Sequence, residues 1–310
     1  MSVPLLNRRL IFVTGKGGVG KSSVALALGL AAARRGRRTI VAELAHGDGL
    51  QRQFDQVGGR HFEEVRLAAN LFTISVDAQA AMEEYLLVKA PGPLGSALKA
   101  SKLFGAFAMA TPGMRELLQI GKVWELSQPE RRTPESDPYD LVIVDSPATG
   151  HSVGILRSPR TFAEIAKVGP IAAQGRTIAA TIADREFTAI VGVTTAEEMP
   201  INEILELDGD LQSDGLELDA VVVNAAYPQR FSDRDADVLA QALPSCSAPT
   251  GRAAIETALS EHARAATQTR QRQRLRAFAK RTVTLPLVFD VELGPTQLGA
   301  LADVIAEALA

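Results

Sequence analysis

Two lysines and a serine lie in one glycine-rich run, and a carboxylate ends an apolar run well downstream. The first run, Gly15-Lys16-Gly17-Gly18-Val19-Gly20-Lys21-Ser22, fits G-x-x-x-x-G-K-[ST], the spacing of a loop that wraps the phosphates of a nucleotide. Its glycines let successive backbone N–H groups turn inward around the α- and β-phosphates, where side chains would obstruct them. Lys21 has the reach for the β- and γ-phosphates, Ser22 has a hydroxyl for Mg²⁺, and Ser23 follows on the cradle. Lys16 is an additional cation one residue after the first glycine, which suggests a different job from that of Lys21. The second run, Leu141-Val142-Ile143-Val144-Asp145, reads as a buried strand ending in a carboxylate. Asp145 would hold Mg²⁺ opposite Ser22, through a water.

Immediately downstream, Ser146-Pro147-Ala148-Thr149-Gly150-His151 is a segment of small residues. At the C-terminal edge of a sheet such a segment is placed to feel a γ-phosphate and shift when it leaves. His151 is read as a switch-loop residue that senses the nucleotide rather than as a catalytic base.

The elements that must position these residues alternate along the chain. Leu10-Ile11-Phe12-Val13 reads as a fully buried strand and Ser22 to Arg35 as an Ala/Leu-rich helix. Strand, glycine loop and helix N-terminus in that order point free N–H groups and the positive end of a dipole at a phosphate. Further β-branched runs follow at Thr39 to Ala42, Leu71 to Val76, Leu141 to Val144, Ala189 to Val193, Ala220 to Val223 and Val283 to Val288. Several are apolar on both faces, as strands covered by helices on both sides must be. The pattern predicts an α/β fold, a doubly wound, mainly parallel sheet flanked by helices. No strand-rich or Pro-rich linker divides the 310 residues, so they are read as a single domain spanning 1–310.

Composition narrows the class. With 46% hydrophobic residues and a net charge of −3, nothing favours nucleic acid through bulk charge. The longest apolar stretch, Val24 to Ala33, is far short of a membrane span. Residues 1–9 lack the apolar core of a secretory signal, and a cytoplasmic protein is expected. Cys246 is the only cysteine, so no internal disulfide and no C-x-x-C zinc or cluster site can form.

Two helical stretches stand apart. Pro93 to Met109 carries Leu94, Leu98, Leu103, Phe104 and Phe107, and is either a helix packed on its own domain or a surface for a partner or client. Arg264 to Arg281 is rich in arginine, which reads as a solvated outer face, with anionic membrane or nucleic acid as the other reading.

Taken together, these motifs resemble a known family. The loop with its extra Lys16 looks like the deviant Walker A loop of the dimeric ATPase class that includes partitioning and division-site ATPases. Asp145-Ser146-Pro147-Ala148-Thr149-Gly150-His151 resembles the D-T-A-P-T-G-H switch of the ArsA-type ATPases, a family of arsenite-pump subunits and tail-anchored-protein targeting factors. Ala45-His46, Val221-Val222-Val223-Asn224 and Leu285-Pro286-Leu287 followed by Glu292 stand in that family's order. The resemblance runs from Leu10 to Leu309. It implies ATP and Mg²⁺ as ligands, with Lys16 reaching the nucleotide of the other subunit of a dimer, Asn224 hydrogen-bonding adenine, and Pro286 with Leu287 covering its face. It also implies a small helical subdomain, here 80–135 and 152–188, for a client or partner, with Pro93 to Met109 as the contact.

Four departures shape the expectation. The family's first switch reads S-T-D-P-A-H, whereas this chain has Val41-Ala42-Glu43-Leu44-Ala45-His46. Glu43 thus takes the place of the water-positioning Asp, with Asp48 as a fallback, and slow hydrolysis follows from the displaced carboxylate. The stretch between His151 and Ala189 is short and poor in large apolar residues, so the subdomain is reduced. The zinc-binding C-x-x-C that clasps the dimer is absent, and one cysteine cannot make the multidentate thiol site an arsenite pump needs. The leading reading is a dimeric, nucleotide-switched ATPase acting on a protein partner, as a homodimer or with a paralogue. The second is an ATP-binding, weakly hydrolysing subunit of a heterodimer. The third is a positioning ATPase that works on DNA or membrane, with any membrane contact peripheral.

Overall fold

The computed structural model describes residues 3–44, 49–54, 62–89, 111, 113–131, 136–276, 281–290 and 292–309. Eight strands form one sheet: β1 Leu10–Gly15, β2 Thr39–Glu43, β3 Val65–Ala68, β4 Leu71–Ser75, β5 Leu141–Asp145, β6 Thr188–Thr195, β7 Ala220–Ala226 and β8 Arg281–Pro286. Their spatial order is β3-β4-β2-β5-β1-β6-β7-β8. Every neighbouring pair is parallel except β3 with β4, which is antiparallel.

The parallel interior strands are apolar on both faces because both faces are covered. Ile11, Val13, Val41, Ile143, Val191 and Val222 face α1 (Lys21–Arg34) and the C-terminal helix Pro295–Ala308, in one core cluster. The alternate residues Phe12, Ile40, Val142, Val144 and Val221 face a second cluster. That cluster is closed by Met114–Leu126, Thr149–Ala166, Pro170–Ala183 and Glu198–Ser213. In chain order we label the helices after α1 as α2 (Gly49–Arg52), α3 (Ala78–Lys89), α4 (Met114–Leu126), α5 (Thr149–Ala166), α6 (Pro170–Ala183), α7 (Glu198–Ser213), α8 (Asp233–Ala242), α9 (Pro249–Arg276) and α10 (Pro295–Ala308). The doubly wound sheet is the architecture that the sequence predicts.

Three details differ from the expected elements. Strand β3 has no counterpart in the β-branched runs, since Val65-Arg66-Leu67-Ala68 is a short, half-exposed edge. The switch segment is a loop only over Ser146 to Ala148; at Thr149 it becomes the first turn of the 18-residue α5. The basic stretch is not one helix from Arg264 to Arg281. Its described part, to Arg276, is the end of the 28-residue α9, and Arg281 opens β8. Pro93 to Met109 and the residues Ala45, His46 and Asp48 lie outside the described residues. Among the described residues no helix is long and apolar enough to cross a membrane.

Helix α1 sits close to the sheet at Gly29. A Cβ at Gly29 would stand 2.9 Å from Leu71 Cδ1 and 3.1 Å from Val41 Cγ2, so a branched side chain must displace these side chains or push the helix off its strands. Gly29→Val should therefore destabilise the fold by about 1–3 kcal/mol, read as a lower urea midpoint with the slope unchanged.

Candidate functional site

The parallel arrangement delivers the C-terminal ends of β1, β2, β5 and β7 to one edge of the sheet, where ligands of open α/β sheets bind. Gly15 ends β1 with φ 150°, and a Cβ there would collide with the carbonyl oxygen of Val193 on β6. The loop must therefore leave the strand on a glycine. Gly20 precedes α1 in the left-handed region, φ 88° and ψ 33°, and makes no side-chain cap. No side chain caps the first helical turn, an arrangement that suits an anion at a helix N-terminus. A Cβ on Gly20 would also collide with Nδ2 of Asn224.

Lys21 folds back along the loop, its Nζ donating to the carbonyl oxygen of Lys16 at 3.0 Å. Ser22 Oγ donates to Asp145 Oδ2 at 2.6 Å, so the serine and the strand-end carboxylate predicted to share a cation do meet. Asp145 is 5% exposed. Burial pushes its carboxyl above the ordinary range, against the opposing pull of the Ser22 hydrogen bond and the Lys21 charge. Burial likewise lowers Lys21, with the Asp145 charge acting the other way. Each group is short of solvation, and neither fully supplies what the other lost. Ser23 is buried in the first turn of α1.

Glu43 ends β2 directly beside the same carboxylate, since Glu43 and Asp145 are register partners across β2 and β5, as Val13 and Asp145 are across β1 and β5. Its backbone is fixed on both flanks. Val76 N–H donates to the Glu43 carbonyl at 2.9 Å, and Leu44 N–H to the Asp145 carbonyl at 3.2 Å. The Glu43 side chain is buried next to the start of α2, where a Cβ on Gly49 would lie 3.2 Å from Oε1.

On the other flank of the loop, Asn224 near the end of β7 donates its side-chain amide to the Val19 carbonyl at 2.9 Å. Next to it, Leu287 N–H donates to the Ala226 carbonyl at 2.9 Å, with Pro286 paired to Ala226 at the end of β8. Asn224, Pro286 and Leu287 are thus neighbours at one end of the cradle. Thr149, Gly150 and His151 open α5 beside the strand that carries Asp145.

Lys16 holds a partner that the sequence did not indicate. Its Nζ lies 2.5 Å from Glu203 Oε1 on α7, and both side chains are about one-third exposed, 35% and 28%. No local pattern announces this contact, because 187 residues separate the two. Gln119, on α4, is the other residue the motifs missed. It donates to the carbonyl that follows Glu43, that of Leu44, at 3.0 Å.

Comparison with known proteins follows the same motifs. The sequence profile of the anion-transporting ATPase family matches residues 8–174 and 164–243. The chain is 33% identical over 237 residues to the ATPase BagA of Mycobacterium tuberculosis, covering 73% of this chain and 68% of the relative. It is 24% identical over 247 residues to the arsenical pump-driving ATPase of Escherichia coli, covering 73% of this chain but 41% of that protein. To the ATPase GET3 of Podospora anserina it is 31% identical over 162 residues, 51% of this chain and 45% of the relative. The match over most of the chain and the phosphate-loop geometry agree: the protein belongs to the anion-transporting, ArsA-type ATPase family.

Proposed function

We propose that the chain binds ATP with Mg²⁺ and hydrolyses it as a nucleotide-switched dimer whose open and closed forms present different surfaces to a protein partner. The observation that carries this reading is the convergence at one sheet edge of an uncapped helix start, the Ser22–Asp145 pair and Glu43. The loop N–H groups and Lys21 bind the phosphates. Asn224, Pro286 and Leu287 form the base side. The whole chain acts as one ATPase domain, with α3 to α6 and the segment between α3 and α4 as its reduced partner subdomain.

A hydroxyl and a carboxylate 2.6 Å apart are the hard oxygen donors that Mg²⁺ takes, and a cation is the charge the buried Asp145 lacks. When bound there, Mg²⁺ neutralises charge on the phosphates. Glu43 orients the attacking water and accepts its proton. Lys16 exchanges Glu203 for the nucleotide of a second subunit and stabilises charge on the departing phosphoryl group. A weakly hydrolysing subunit of a heterodimer remains the second reading, because Glu43 carries its carboxylate one methylene further from the backbone than an aspartate would.

Turnover by the purified chain with Mg²⁺ should rise in specific rate with protein concentration. Lys16→Ala should lower that rate by about 10³-fold or more. Its Tm should hardly move, since a part-exposed ion pair is worth at most about 1 kcal/mol. Tight ATP binding without turnover at any concentration would instead identify the heterodimer subunit.

Asp145→Asn separates stability from activity. The folded-state value lies above the unfolded one, 3.8, so between the two the native state binds more protons. Stability without ligands therefore falls as pH rises through that window. Asp145→Asn should flatten this dependence and raise Tm at neutral pH. It should lower Mg²⁺-dependent turnover by about 10²-fold or more. A neutral-pH Tm below that of the wild type would contradict the assignment.

A further inference from the structure

We propose that Gln119 is a positioning residue for Glu43, and that through it helix α4 is coupled to the state of the nucleotide site. The inference rests on the reading of Glu43 given above. Gln119 is 7% exposed. Its side-chain amide donates to two backbone carbonyls, that of Leu44 at 3.0 Å and that of Val76 at 2.9 Å. Carbonyls only accept, so only the NH₂ end of the amide can serve both.

The two carbonyls bracket the catalytic strand end. Leu44 directly follows Glu43, and Val76 is the residue whose N–H holds the Glu43 carbonyl. Glu43 thus lies in a closed circuit: β5 holds the N–H of Leu44, Gln119 holds its carbonyl, and Gln119 also holds the segment that fixes Glu43 from β4. A shift of this strand end must break or drag a buried bond to α4. Leaving either carbonyl unpaired in the core is costly, so dragging is favoured.

Helix α4 is in turn bound to α3. Lys122, one turn after Gln119 and 3% exposed, places Nζ 2.7 Å from Glu84 Oε1 on α3 and 3.0 Å from Glu125 Oε2 on its own helix. Arg131 holds the other oxygen of Glu125 at 3.0 Å. Two neighbouring turns of α4 therefore carry the link to the Glu43 strand end and the link to α3. Since α3 starts at Ala78, two residues beyond Val76, both helices are attached to the same switch.

The test uses the full chain. Gln119→Met keeps the side chain's length and removes both donors; Gln119→Asn keeps the donors one methylene short. Thr73→Val is the control, because Thr73 Oγ1 also makes a buried hydrogen bond to a β2 carbonyl, that of Val41 at 3.0 Å, upstream of Glu43. Gln119→Met should lower kcat about tenfold with KM for ATP held within about twofold. Gln119→Asn should fall between it and the wild type, and Thr73→Val should lower Tm while leaving kcat unchanged. In hydrogen exchange, Mg²⁺ with ADP or a non-hydrolysable ATP analogue should alter protection over residues 114–126 in the wild type and not in Gln119→Met. An unchanged kcat in Gln119→Met, an equal loss in Thr73→Val, or ligand-dependent protection of α4 that survives Gln119→Met would overturn the proposal. If the wild-type chain binds nucleotide without turning it over, the hydrolysis reading fails alone, and the exchange comparison still decides this one.

Discussion

The candidate site depends on the register of three parallel strands. Val13 and Glu43 are both paired with Asp145, from β1 on one side of β5 and β2 on the other. A slip of one residue in either pairing would turn every side chain of that strand to the opposite face. Glu43 or the loop entry would then leave the site altogether. The register is held by the two apolar layers, since each strand interior contributes alternately to both core clusters. Packing against α1 on one side and α4 to α7 on the other therefore sets the site's geometry. The residues proposed for the chemistry lie at these strand ends or in the loop and helix start that follow β1.

Within that frame the two lysines occupy different electrostatic regimes. Lys21 and Asp145 are both shifted by burial toward their neutral forms, and each only partly relieves the other. Such a pair gains from a ligand that brings a divalent cation and phosphate oxygens together, because each ion then acquires a close opposite charge in a poorly solvated place. Lys16 sits at the rim against Glu203, where solvent already screens the pair. Exchanging that partner costs little. A fixed cation inside the cradle and an exchangeable one at its edge match the two roles proposed for them.

Much of this was legible in the sequence where the determinants are contiguous. The phosphate loop is eight consecutive residues with a strand before and a helix after, and Asp145 ends a five-residue apolar strand. The edge strand β3 escaped because Arg66 and partial exposure blur its alternation. Thr149-Gly150-His151 read as loop because small and polar residues are poor helix formers; the apolar positions Val153, Ile155 and Leu156 farther along α5, buried against the sheet, commit the segment to helix. Glu203 and Gln119 were invisible for another reason. Their partners are distant in sequence, at Lys16 and at two backbone carbonyls, and neither residue belongs to a repeating spacing.

Apart from the Lys16–Glu203 ion pair, the contacts at the site that sequence could not reveal share a physical form. Asn224 donates to the Val19 carbonyl, Lys21 to that of Lys16, and Gln119 to those of Leu44 and Val76. In each case a side chain holds the backbone of a loop or strand end, so the identity of the held residue is nearly free and only the donor is specified. The donors come from β7, α1 and α4, so the loop's shape is a property of the assembled fold. Each neutral bond is modest, worth about 1 kcal/mol net. Charge-assisted bonds to a phosphate are roughly twice as strong. The Lys21 ammonium meets only a carbonyl dipole in its own loop, whereas a phosphate brings a full opposite charge, so a bound nucleotide can outcompete that bond. The neutral bond from Gln119 has no phosphate to turn to, and it persists as the connection along which the rearranged site moves its surroundings.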